Sequence, residues 1–335
     1  MKTYVLVCSG YSRVQGEDLI LVQVDEAGKC SVMSGCRQGK NPSFCIRHKD
    51  VLYVVSEVTG KADINAYRIT GEKLSDMGLE IQVPGSELCH LYAGEQALYG
   101  SCYGSGDFFA VDYGLKELLW HRKPQNVLDE GNITPHAHWV TEWEGQLFLA
   151  DLGSDRIWRY RLQDGLPGEP LPALALPAGA GPRQSLPVHA EDAFHLLSVQ
   201  ELGSTLCLWK KQGEQLDCMQ SVRTTAFEGE NYPGTICMAD KQTVLVCNRG
   251  ANTIAAFSVE GEQLKLLGEW ETANWPRYLM RIPDTSLFVN ACNEAGKLVV
   301  FSWTGCSLEK RDEIILHGAS CAAFLGLGSI SSNGI

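Results

Sequence analysis

The stretch that decides the fold is Asn41-Pro42-Ser43-Phe44-Cys45-Ile46, Val51-Leu52-Tyr53-Val54-Val55-Ser56-Glu57 and Asp63-Ile64-Asn65-Ala66-Tyr67-Arg68-Ile69, closed by Thr70-Gly71. Three short apolar runs rich in β-branched and aromatic residues, separated by polar turns, read as three consecutive strands. The same grammar returns at Gly234-Thr235-Ile236-Cys237-Met238, Val244-Leu245-Val246-Cys247-Asn248-Arg249 and Asn252 to Val259, closed by Glu260-Gly261. The closing glycines are Gly28, Gly71, Gly114, Gly165, Gly213, Gly261 and Gly305, with successive spacings of 43, 43, 51, 48, 48 and 44 residues. A period in the forties with several short strands per unit marks a β-propeller.

Seven closing glycines predict an all-β, seven-bladed β-propeller. The first repeat starts on Tyr4-Val5-Leu6-Val7-Cys8, the equivalent of a second strand, and the last has only an opening strand, Ser320-Cys321-Ala322-Ala323-Phe324-Leu325. The N- and C-terminal strands are therefore expected to complete one blade, which removes an exposed sheet edge. The reading is one propeller over residues 1–326 and a flexible Gly/Ser-rich tail over 327–335. The segment from Trp120 to Pro135, rich in Asn, Asp and Pro, reads as a long loop before the fourth blade.

Composition agrees. The 335 residues are 44% hydrophobic, enough for a packed core, and carry 34 glycines. The formal net charge is −12, with no basic cluster, which argues against a nucleic-acid partner. No apolar run reaches the ~18 residues of a membrane span, and the short N-terminal run reads as a strand instead of a signal peptide. The 13 cysteines are odd in number, lack a CxxC and mostly lie within apolar runs, so they read as buried thiols of a reduced, cytoplasmic protein.

In antiparallel blades the start of the first strand and the end of the second share one face near the axis. The first column holds Ser43, Cys89, Ala137, Arg183, Gly234, Arg277 and Ser320, followed by Phe44, His90, His138, Gln184, Thr235, Tyr278 and Cys321. The second holds Glu57, Tyr103, Leu152, Glu201, Arg249 and Asn293, with Asp151, Gln200 and Asn248 one position earlier. Structural positions of a repeat should hold similar residues. These hold an uneven mixture of Arg, Glu, His and Tyr, as one asymmetric site on a pseudo-symmetric ring requires.

Arg183, Arg249 and Arg277 suit a carboxylate or phosphate, and either such an anion or Glu57 and Glu201 could pair with them. His138 or His136 could serve as acid or base. A metal held by this histidine pair with Asp151 or Glu201 is a weaker reading, and no metal or other cofactor is expected. Dinucleotide, P-loop, zincin and serine-elbow motifs are absent.

The repeats and five motifs resemble the seven-bladed propeller lactonase family, which includes propeller-type 6-phosphogluconolactonases and fungal carboxy-muconate cyclases. The motifs are Pro135-His136-Ala137-His138, Ala150-Asp151-Leu152-Gly153-Ser154-Asp155-Arg156, Gly179-Ala180-Gly181-Pro182-Arg183, Cys247-Asn248-Arg249-Gly250 and Trp275-Pro276-Arg277-Tyr278. Three departures stand out: Gln184 where the family often has His, Gly234-Thr235-Ile236 in place of Ala-Glu-Ile, and no Arg-Gln ahead of Pro135. The resemblance implies a lactone hydrolase acting on a small anionic substrate, foremost 6-phosphogluconolactone. It places His138 (or His136) and Glu201 in acid–base roles and Arg183, Arg249 or Arg277 on the anion. Glu57 and Asp151 are further candidate substrate contacts from the column reading. A cycloisomerase acting on a muconate-type dicarboxylate, a metal-dependent lactonase and a non-enzymatic interaction platform are the alternatives.

Overall fold

The computed structural model describes residues 2–12, 16–124, 134–190 and 193–328. These form 28 strands in seven four-stranded antiparallel sheets, with no helix among the described residues. Each sheet is a blade. Blade 2, for instance, runs Cys45–His48, Val51–Val58, Lys61–Thr70 and Lys73–Gln82 from the axis outward.

Burial follows that order. Leu98–Cys102 and Asp107–Val111 of blade 3 are buried throughout, as strands covered on both faces must be. The outermost strands are polar: Lys73–Gln82 exposes Lys73, Ser75, Asp76 and Glu80. The apolar grammar therefore registers three strands per unit, and the fourth follows each closing glycine. These glycines sit in the hairpin between third and fourth strands, six of them at positive φ, where a Cβ would be strained. Gly114 is the exception: there the left-handed residue is the next one, Leu115, at φ 53°.

Neighbouring blades pack face to face through apolar clusters. One joins Val199, Leu206, Leu208, Val246, Ala255 and Phe257 between blades 5 and 6. Burying a side chain of this size stabilises by roughly 1.5–3 kcal/mol.

The ring closes as expected. Ala319–Leu327 is the innermost strand of the blade that Thr3–Gly10, Leu19–Asp25 and Cys30–Cys36 complete, with pairing from Tyr4 with Leu327 to Gly10 with Ala319. Leu327 thus ends a strand; of the expected tail, 329–335 lie outside the described residues, as do 125–133 of the expected long loop.

Candidate active site

A recurring irregularity builds the mouth of the ring. Where the innermost strand meets the end of the second, its register skips one residue: Cys89 in blade 3, His138 in blade 4, Arg183 in blade 5 and Arg277 in blade 7. The closing strand skips Ser320 in the same place, and blade 6 skips both Gly234 and Thr235. An unpaired bulge residue is freed from the strand's alternation and can be re-aimed, a device common beside active sites. His138, Arg183 and Arg277 are therefore equivalents. The sequence columns set Ala137 beside Arg183, one residue out of step, because a bulge leaves no mark in an apolar pattern.

The facing column comes from the end of each second strand or the residue just past it. Tyr11, Glu57, Tyr103, Leu152, Glu201 and Asn293 each donate a backbone N–H to the loop entering the innermost strand, to Gly318, Asn41, Glu87, His136, Gly181 and Trp275 respectively. Tyr11 is the first blade's member and was missed by the sequence columns, which had no entry for that blade. The signal was available: Tyr11 stands just past Thr3–Gly10, as Glu201 stands just past Ala193–Gln200.

Blades 4, 5 and 6 meet in one cluster. Arg183 Nη1 lies 2.6 Å from His138 Nε2 and also donates to Glu201 Oε2. Arg249 Nη2 reaches the same carboxylate oxygen at 2.8 Å. Backbone carbonyls anchor Arg249 as well: Nε donates to the Tyr232 carbonyl at 2.8 Å, and the same Nη2 donates to the Pro233 carbonyl at 3.1 Å. Its guanidinium also stands 5.6 Å from the ring centre of Trp275, which holds the left-handed φ of 60°. Arg183, Arg249 and His138 are each at most 5% exposed.

Electrostatics fix the charge states. Burial would raise the Glu201 carboxyl, but Arg183 and Arg249 outweigh it and hold the group well below its ordinary value, so it is a carboxylate. Burial, reinforced by Arg183, pushes His138 well below 6.5, so its imidazole is neutral at pH 7. Because a guanidinium only donates, His138 Nε2 accepts and Nδ1 carries the hydrogen. That Nδ1 is buried without a hydrogen-bond partner among the described residues. Burial, then the like charge of Arg183, pulls Arg249 down to about 9, still protonated at neutral pH.

Blades 1, 2 and 7 form a second pole. The Tyr11 hydroxyl lies 3.0 Å from both Glu57 carboxylate oxygens, and the Arg277 guanidinium stands 5.4 Å from the Tyr11 ring centre. Mostly by burial, Tyr11 is held well above its ordinary pKa and stays a neutral donor. Across the two poles, three guanidinium groups face two carboxylates, leaving an excess positive charge in a protein of net charge −12.

One residue deeper, an aromatic floor spans the axis. Phe44 meets His90, Trp139 and Tyr278 at centroid distances of 4.6, 5.9 and 5.9 Å, and His90 stacks on Trp139 at 3.7 Å. His90 is spoken for: Nδ1 accepts the Val140 N–H at 3.2 Å, and burial keeps its ring neutral. This floor sets the mouth above an apolar layer, where charge interactions are strong.

Two sequence candidates do not join the cluster. Asp151 is wholly buried and accepts from the His136 and Ser154 N–H groups and from Trp158 Nε1, an arrangement that shapes the loop carrying the two histidines. His136 stacks on Tyr103 at 4.6 Å and places Nδ1 2.9 Å from the Tyr103 carbonyl oxygen. Among the described residues, no group of three or more His, Cys, Asp or Glu side chains is placed to hold a metal.

Two of the three departures also have physical accounts. Gln184 ties blades 5 and 6 together, Oε1 accepting the Ile236 N–H at 2.7 Å and Nε2 donating to the Ile236 carbonyl at 3.2 Å. At Gly234 an added Cβ would stand 2.7 Å from the Arg277 carbonyl oxygen, so glycine lets blade 6 lie directly against the strand carrying that arginine.

The mouth of this closed seven-bladed ring gathers arginines, carboxylates and a neutral imidazole. The chain belongs to the family described as Lactonase, 7-bladed beta-propeller, whose model matches residues 5–324. Among curated relatives it is 24% identical to the 6-phosphogluconolactonase of Bacillus subtilis (strain 168) over 285 residues, 78% of this chain and 80% of the relative. Solved structures show the same fold. A Lactobacillus plantarum protein matches at TM-score 0.85 and 21% identity over 97% of this chain and 100% of the other. The periplasmic gluconolactonase of Pseudomonas aeruginosa matches at 0.84 and 19% over 97% and 99%.

Proposed function

We propose that the protein hydrolyses a sugar-acid lactone, foremost 6-phosphogluconolactone to 6-phosphogluconate. The observation that carries the reading is the bridge from Arg183 to both His138 and Glu201, beside Arg249, in a mouth with excess positive charge. An anionic substrate competes for the guanidinium groups. As Arg183 turns to it, His138 Nε2 is released as a neutral base. His138 takes a proton from water as the water oxygen bonds to the lactone carbonyl carbon. The oxyanion that forms is stabilised by guanidinium N–H groups. When the bond from carbonyl carbon to ring oxygen breaks, the imidazolium returns its proton to that oxygen, leaving an acid and a hydroxyl. Glu201, ionised and clamped, is a poor proton carrier; its role in this account is to hold Arg183 and Arg249 in place. Arg277, with Tyr11 and Glu57, binds the far end of the substrate. A lactone is an activated ester, so no covalent nucleophile is required.

The test is a panel of 6-phosphogluconolactone, gluconolactone and carboxy-muconate on the purified protein, corrected for spontaneous opening. Preferred turnover of the phosphorylated lactone is expected. Turnover of carboxy-muconate alone would transfer the same residues to a cycloisomerase.

We further place the protein in the cytoplasm, a reading supported by thirteen cysteines that are all free thiols. Cell fractionation with an antibody checks it; recovery in a periplasmic fraction, the location in the description of the Pseudomonas relative, would overturn it.

A further inference from the structure

Outside the mouth, blade 5 carries a second chemically distinct place. Its two outer strands, Thr205–Gln212 and Gln215–Arg223, pair with a bulge: Leu208 faces Gln220, Trp209 faces Cys218, and Met219 is the extra residue. Cys207 faces Ser221. The bulge leaves Cys207 and Cys218 on the same side of the sheet, two residues apart along one strand's register. Their thiols are within side-chain hydrogen-bonding reach of each other. Both line an apolar cleft of roughly 420 Å³, walled by Ala175–Ala180 of the blade 4–5 junction and by Trp209. Cys218 is exposed and Cys207 is buried behind it.

We propose that Cys207 and Cys218 are a redox-active thiol pair that a small hydroperoxide entering this cleft converts to an intrachain disulfide. The chemistry has two steps. The Cys218 thiolate attacks the peroxide; an S–O bond forms, the O–O bond breaks, and water or an alcohol leaves after protonation. Cys207 then attacks the resulting sulfenic sulfur. An S–S bond forms, the S–O bond breaks, and the departing hydroxide takes the Cys207 proton to leave as water. Two thiols are oxidised and one peroxide is reduced.

The division of labour follows from the surroundings. The hydrogen bond from Cys207 lowers the Cys218 thiol below its ordinary value, despite partial burial, which favours the thiolate there over the other partly exposed cysteines. Cys207, bonded to Cys218 and buried, is pushed up and acts as the resolving thiol. Elsewhere, burial pushes the partly exposed Cys30, Cys36 and Cys237 up to about 12, 11 and 11, which disfavours their attack on peroxide. The cleft is distinct from the mouth, so the inference stands whether or not the protein opens lactones.

The experiment is brief exposure of the full chain at pH 7 to a few equivalents of hydrogen peroxide. Remaining thiols are alkylated, and proteolysis without reduction is followed by mass spectrometry. The expected product is a peptide pair joined through Cys207 and Cys218, two hydrogens lighter than the separate peptides. It should form before any change at exposed Cys306 and revert with dithiothreitol. In Cys207→Ser, oxidation should stop at a Cys218 sulfenic acid that dimedone traps. Oxidation at Cys306 ahead of Cys218, or Cys218 sulfenic acid accumulating in the unaltered chain without the cross-link, would overturn the proposal. The map of the unaltered chain decides the matter even if a variant fails to fold.

Discussion

Arg183 Nη1 stands 2.6 Å from Nε2 of His138, each on the bulge of its own blade. A buried guanidinium donating to a buried imidazole keeps that imidazole neutral, because a second positive charge there is opposed by both desolvation and repulsion. Much of the expected behaviour of the mouth follows from this contact.

The first expectation concerns pH. With the His138 pKa driven down by burial and Arg183, the active neutral form persists through neutrality. The lactonase kcat/KM should stay level there and fall only at pH well below the ordinary 6.5. His138→Ala should lower kcat about 100-fold with little change in KM, in line with loss of a general acid–base group. A descending limb centred on 6.5 would mean that the imidazole is not held neutral.

Glu201 should matter more for stability than for proton transfer. Glu201→Gln leaves the buried Arg183 and Arg249 without their shared counter-charge, a change that costs roughly 3 kcal/mol. Thermal unfolding should show the loss, and added phosphate or citrate should restore part of it by supplying an anion to the site. Acid should act similarly on the native protein. The Glu201 pKa is lowered in the fold, so its contribution is present above the ordinary glutamate value and is lost as pH falls through the folded value. The lowered His138 pKa works in the same direction, since the unfolded chain takes up a proton below 6.5 that the fold resists. Chemical denaturation across this range checks both.

The pole formed by Tyr11, Glu57 and Arg277 should govern affinity. Arg277→Ala is expected to raise KM for a phosphorylated lactone about 10-fold while leaving kcat within a few-fold, the pattern of lost binding common to ground and transition states. Tyr11→Phe, which removes the hydroxyl held by Glu57, should show a smaller rise. Steady-state kinetics with phosphorylated and unphosphorylated lactones separates the two poles: the penalty should shrink when the phosphate is absent.

Gly234→Ala drives a methyl group against the Arg277 carbonyl oxygen, where blades 6 and 7 meet. A cost of about 1–2 kcal/mol is expected from this overpacking, together with a raised KM through displacement of Arg277. A variant as stable and active as the parent would show that the two strands can part without disturbing the mouth.

Much of the ring was legible because its inner strands are continuous apolar runs such as Val244 to Cys247, and because closing glycines occupy turns that need positive φ. The terminal closure was legible because Tyr4 to Cys8 lacks a preceding strand. The outer strands were not, since Lys73–Gln82 is largely exposed and its Leu74, Met77 and Ile81 are interrupted by polar residues in place of a continuous apolar run. The site columns set Arg183, Glu201 and Arg249 on one face, where the structure brings them into contact, but misaligned His138, since a bulge adds a residue without altering hydropathy. Asp151 shows the opposite limit. A carboxylate beside the mouth looks like a ligand in sequence, and only its three donors show that it is satisfied internally.

The most direct test of the central claim is the rate of 6-phosphogluconolactone opening by the purified protein alongside His138→Ala, with thermal unfolding confirming that the variant is folded. The account predicts rapid opening by the parent and a loss of about 100-fold in the variant. Opening by the parent no faster than in buffer, or a folded variant as fast as the parent, would contradict it.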